Sequence, residues 1–171
     1  MKLTKFLFLS VALLVMGAVG GNALAKDTID AVDFVDEASA KGIAEVETSK
    51  LALQKSTSPD VKKFAEQMIA DHTAANKELA AIAQKKELKV ADEAALTAKA
   101  KSYILKHKEG ENFDKAYAEG QVAAHKDTIK LFNQAVVSPD AELAAFAKAT
   151  LPKLEHHLHM AQDLAKAHDK K

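Results

Sequence analysis

Residues 58–79 read "SPDVKKFAEQMIADHTAANKEL", and this stretch decides the fold. Ser58 is placed to cap a helix, Pro59 takes the first helical position, and Asp60 complements the positive end of the helix dipole. From there Val61, Phe64/Ala65, Met68, His72, Ala75, Leu79 and Ile82 recur every three or four residues, the spacing of one helix face. The stripe is apolar except at its centre, where His72 stands. A well-punctuated amphipathic helix with an imidazole on its buried side raises the question of what that imidazole faces.

Working outward, three more segments repeat the pattern. One from about Asp33 to Ser56 places Val35, Ala38, Gly42, Val46, Ser49 and Leu53 on a stripe. Another, from about Phe113 to Val137, carries Tyr117, Gln121/Val122, Ala124/His125, Thr128/Ile129, Phe132 and Ala135/Val136. The last opens at a second Ser-Pro-Asp, residues 138–140, and shows Leu143, Phe146/Ala147, Thr150, Leu154, His157, Ala161 and Leu164. No run of alternating β-branched residues occurs, so the class is all-α. Between the second and third segments lies a long connection, Lys85 to Asn112, with one helical patch, "DEAALTAKAKSYILKH", and a turn-like "KEGEN". Two short-looped hairpins joined by a long crossover is the connectivity of a ferritin-like four-helix bundle. The halves echo each other: each has a helix, then Ser-Pro-Asp, then a helix that soon carries a Phe-Ala pair.

The first 25 residues stand apart. Lys2 and Lys5 precede the apolar run "FLFLSVALLVMGAV", and Ala23-Leu24-Ala25 has the small-x-small form of a cleavage site. This is the pattern of a secretory signal peptide, with residues 26–171 as one domain, no membrane span after cleavage, and a periplasmic or secreted location. The chain has no Cys, so the domain stands on its core alone. Removing Lys2 and Lys5 from 24 basic and 24 acidic residues leaves 22 against 24, a charge of −2. Every cation is Lys. Without the planar fork of Arg and without a basic surplus, nucleic-acid binding is not expected.

The sequence "LEHHLHM", residues 154–160, holds three imidazoles. Only His157 keeps step with Leu154, Ala161 and Leu164; His156 and His159 fall to the flanks. His72 and His125 share apolar stripes, while His107 and His168 sit among polar residues. On the first segment Glu45 lies on a line of small residues with Ala38, Gly42, Ser49 and Ala52, whereas Glu47 aligns with surface positions. Each long helix therefore offers one inward ionisable group: Glu45, His72, His125 and His157. Distances along the helices make Glu45, His72 and His125 roughly level and set His157 deeper by about two turns. Pro152 lies between and is expected to kink the axis.

Three His and one carboxylate form a ligand set for a single divalent transition metal such as zinc, copper or iron. A ferritin-type di-iron centre needs a Glu-x-x-His pair on each of two helices, and none occurs. Met68 and Met160 sit one turn from His72 and His157; thioethers favour Cu(I), and core filling is the competing explanation. Inward histidines can equally be core residues hydrogen-bonded to a carbonyl or to Tyr117. Asp71, beside His72, reads as a helix-surface acid, with a supporting role at a metal as the alternative.

The blocks "EVETSKLALQKS", "SPDVKKFAEQMIADHTAANKEL", "FDKAYAEGQVAAHKDTIKLF" and "LPKLEHHL" resemble, in order, those of domain-of-unknown-function family 4142. The resemblance implies an exported bacterial protein with a ferritin-like bundle; it implies no activity. Two functions compete. One is metal binding, for buffering, sensing or tolerance; the other is an envelope or stress protein acting on a protein partner, with structural histidines. The chain shows no nucleophile motif and no Gly-rich phosphate loop, so catalysis is not expected.

Overall fold

The computed structural model describes residues 28–169, which form five helices. They are α1 (Ala31–Lys55), α2 (Pro59–Lys85), α3 (Leu96–Lys106), α4 (Gly110–Ala135) and α5 (Ala141–Ala167). Among the described residues there is no strand, and no helix is long and apolar enough to cross a membrane. Residues 1–25, whose pattern reads as a signal peptide, lie outside the described residues.

The packing is that of a helical bundle. α1 packs on α2 and α4 on α5, and these two hairpins meet through α1 against α4 and α2 against α5. Ion pairs fix which ends meet. Lys85–Glu142 (2.9 Å) and Lys86–Asp140 (2.8 Å) tie the end of α2 to the start of α5, and Lys55–Glu109 (2.6 Å) ties the end of α1 to the start of α4. The connection from α2 to α4 therefore runs the length of the bundle, carrying α3 along it.

The two Ser-Pro-Asp turns act differently. At the first, Ser58 is the N-cap position and Pro59 opens α2. At the second, Asp140 is the cap, its Oδ1 accepting from the N–H groups of Glu142 and Leu143 (both 3.1 Å), and Pro139 stays outside the helix. α4 starts at Gly110, inside the stretch that reads as a turn. α5 continues through Pro152, whose ring is on the exposed face.

Two apolar clusters fill the bundle. One holds Phe34, Leu79, Ile82, Leu131, Phe132, Leu143, Phe146 and Leu154; the other holds Val61, Phe64, Met68, Phe113, Tyr117, Ala161 and Leu164. Between them lies a polar layer. His72 falls between Met68 and Leu79, His125 between Ala118 and Leu131, His157 between Leu154 and Ala161, and all three are buried. Removing water from imidazole nitrogens carries a free-energy cost unless they find partners, so this layer is not explained by packing.

Candidate metal centre

His72, His125 and His157 come from α2, α4 and α5 and converge. Their ring centroids are 5.5 Å apart in all three pairs. One donor atom from each ring lies within 4.8 Å of the others, and among the described residues this is the group of His, Asp and Glu close enough to hold a metal ion. His157 is thus level with the other two. It stands 16 residues into α5, about 24 Å from the α4–α5 turn, while His125 stands 10 residues before the end of α4, about 15 Å from it. Side chains on a helix lean toward its N-terminus. In antiparallel helices the two leans point toward each other and shorten the gap that counting along the axes leaves.

Hydrogen bonds orient two of the rings. His157 donates from Nε2 to Asp71 Oδ2 (2.9 Å), which leaves its buried Nδ1 without a partner. His125 donates from Nδ1 to the Gln121 carbonyl (2.9 Å), leaving its buried Nε2 without a partner. His72 Nε2 is also buried and makes no hydrogen bond. In a neutral imidazole, the nitrogen that does not carry the hydrogen carries a lone pair. His125 and His157 are therefore held in the tautomers that free one lone pair each.

Electrostatics keep His72 and His157 neutral. Burial lowers the His72 pKa to about 3, and the neighbouring His125 and His157 add to the effect. Burial likewise lowers His157, to about 4, against the opposing pull of its bond to Asp71. Burial would raise the Asp71 carboxyl, but hydrogen bonds from Lys153, Gln67 and His157 outweigh it and hold the group at about 2. The Lys153 Nζ to Asp71 Oδ1 distance is 2.6 Å. A chain Lys153–Asp71–His157 therefore joins α5 to α2 and back.

The flanking residues fall as their spacing predicts: His156, His159 and Glu47 are exposed, as is His107. His168 is instead half-buried, with Nε2 3.2 Å from Asp60 Oδ2. Asp71 is not a plain surface acid, since its bond to His157 sets that ring's tautomer. The signal in the sequence was two pairs one helical turn apart, Gln67/Asp71 and Lys153/His157, which put the acid and its partners on adjoining faces. Tyr117 does not partner a histidine; its hydroxyl pairs with Ser49 Oγ at 2.9 Å.

Glu45 is buried, as its stripe predicts, but it is not in the three-histidine group. It lies toward Gln121 and His125, and burial raises its pKa despite His125, Gln121 and Lys41. Gly42, one turn earlier, has a separate reason to be glycine. A Cβ there would stand 1.9 Å from Asn76 Oδ1, so α1 and α2 approach closely over the Asn76 amide. Asn76 was not singled out by its sequence spacing. It lines a cavity of about 20 Å3, enough for one water molecule or ion, together with Asp71, His72 and His157.

The family model described as "Domain of unknown function (DUF4142)" matches residues 18–164, and the chain belongs to that family. No curated protein and no solved structure matches the chain.

Proposed function

We propose that this DUF4142 member is an exported, ferritin-like bundle protein that binds one divalent transition metal through His72, His125 and His157. The observation that carries this reading is the set of three buried nitrogens, one per ring, without hydrogen-bond partners. Three imidazoles suit zinc, copper or iron, and a bundle core is where such folds build metal sites. Asp71 and Lys153 form the outer support, as carboxylates commonly do for metal-bound histidines. Three nitrogens around a metal at about 2.1 Å stand about 3.4 Å apart, so the rings close in modestly on binding.

The physiological role that follows is buffering or tolerance in the periplasm. The signal-like residues 1–25 support that location. The reading in which the histidines are structural predicts a satisfied layer, and the unpartnered nitrogens favour the metal.

The test uses untagged protein stripped with chelator and titrated with Zn²⁺, Cu²⁺ and Co²⁺. One ion per chain is expected, with the intense visible absorption of tetrahedral Co²⁺. Wild-type protein that takes up no stoichiometric metal, or a His72→Leu variant that takes up as much as wild type, overturns the assignment.

A further inference from the structure

The crossover helix α3 lies against α1 and α4, and Leu105 is its one buried residue. Leu96 (80% exposed), Tyr103 (66%) and Ile104 (61%) are three of the four large exposed hydrophobic side chains among the described residues, and all three sit on this eleven-residue helix. At 3.6 residues per turn, Leu96, Ala100, Tyr103, Ile104 and His107 fall on one stripe opposite Leu105. The His107 ring stands 4.5 Å from that of Tyr103, and its Nδ1 donates to the Tyr103 carbonyl (2.8 Å). Single exposed apolar residues are ordinary on a protein surface, but a continuous stripe of them marks a face that meets something.

Charge frames the stripe. α3 contains no acidic residue; Lys99 and Lys106 lie along one flank and Lys101 along the other. Asp92 is engaged by Lys89 (2.9 Å), Glu93 by Lys99 (2.5 Å) and Glu109 by Lys55 (2.6 Å). From Asp92 to Glu111 this leaves Lys101, Lys106 and Lys108 without ion-pair partners, against one unpaired acid, Glu111. An apolar stripe with basic flanks is the pattern of a helix that lies in a lipid interface. Lysine stems follow the apolar surface while their charged ends reach outward, and a tyrosine ring favours the boundary between lipid and water.

From this arrangement we propose that α3 is a membrane-docking helix: it lays its Leu96–Tyr103–Ile104 face on an anionic lipid bilayer, and Lys101, Lys106 and Lys108 meet the headgroup phosphates. A second copy of the chain fits this face less well. Symmetric pairing through α3 would bring lysine flanks together, and a helix about 17 Å long and 10–12 Å wide falls far short of the roughly 800 Å2 per partner of a stable interface. The docking face is separate from the three-histidine group and does not depend on metal binding.

The experiment is flotation of the full mature chain with vesicles of phosphatidylcholine alone or mixed with equal parts of phosphatidylglycerol. Binding to the mixed vesicles is expected to be about tenfold or more tighter, and to weaken in high salt. Leu96→Ser with Ile104→Ser, and separately Lys101→Gln with Lys106→Gln, should each weaken it about tenfold or more. All four positions are exposed, so both variants should stay folded, which circular dichroism checks. The chain has no Trp, so Tyr103→Trp gives a single fluorescent reporter, whose emission should shift to the blue on the mixed vesicles. The proposal is overturned if the mixed vesicles do not bind, if phosphatidylcholine alone binds as well, if the Tyr103→Trp emission does not move, or if either folded double variant binds as wild type does. Self-association of wild type that is lost in Leu96→Ser/Ile104→Ser, read by sedimentation velocity, would put a second copy on this face and overturn it too. Stripping metal should leave vesicle binding unchanged, so failure here and failure of the metal site are read separately.

Discussion

His157 on α5 gives its Nε2 hydrogen to Asp71 on α2 across 2.9 Å, and this bond leaves Nδ1 as its free nitrogen. Removing the carboxylate should loosen both ring orientation and tautomer. Asp71→Ala is expected to weaken metal binding by about 10–100-fold, the usual effect of losing such outer support. Competition against a chromophoric chelator measures it. Lys153→Ala, which leaves the His157–Asp71 bond in place, should have a smaller effect.

The sign of a stability change separates a metal site from a structural layer. His72 Nε2 is buried without a partner, and an unsatisfied buried group costs on the order of 1–3 kcal/mol. His72→Leu should therefore leave the metal-free protein as stable as wild type or more so. The same change should abolish the rise in melting temperature that metal gives by binding only the folded state. Denaturant melts with chelator or with added Zn²⁺ read both effects; a metal-free loss of about 2 kcal/mol would count against the site.

Acid should destabilise the metal-free bundle. His72 and His157 have folded-state pKa values of about 3 and about 4, below the ordinary 6.5. Below 6.5 the unfolded chain takes up protons that the folded chain refuses, so stability falls as pH falls. Each such ring contributes a slope of up to about 1.4 kcal/mol per pH unit, ending at its folded pKa. Between pH 6.5 and 4 the denaturation midpoint of wild type should fall more steeply than that of His72→Leu; the opposite contribution of Glu45, whose pKa burial raises, is common to both proteins.

Gly42 and Asn76 are coupled by contact. Gly42→Ala forces the Asn76 amide out of place and is expected to cost about 1–3 kcal/mol, as overpacking does. Adding Asn76→Ala should recover part of that loss, because residues in contact do not add. A double-mutant cycle of melts gives the coupling, and simple additivity would contradict the contact.

The exposed imidazoles serve as a control. Replacing His156 and His159 together by Gln should leave metal stoichiometry unchanged, since both lie on the solvent face of α5. Loss of uptake in that variant, with uptake kept in His157→Ala, would place the site on the wrong face of the helix.

What the sequence determined by itself was local. Period and punctuation set four long helices, a partly helical crossover, and the inward facing of Glu45, His72, His125 and His157, because a helix repeats every 3.6 residues whatever packs on it. Depth and partnership needed the tertiary structure. Counting along the axes set His157 too deep, since it omits the opposed lean of side chains in antiparallel helices. Asp71 read as a surface acid because its partners, Lys153 and His157, are more than eighty residues away in the chain. Glu45 shares the inward face of α1, yet only packing showed that it turns toward Gln121 rather than joining the three imidazoles. Direction toward the core is a property of one helix; which groups meet there depends on how several helices are tilted, staggered and packed.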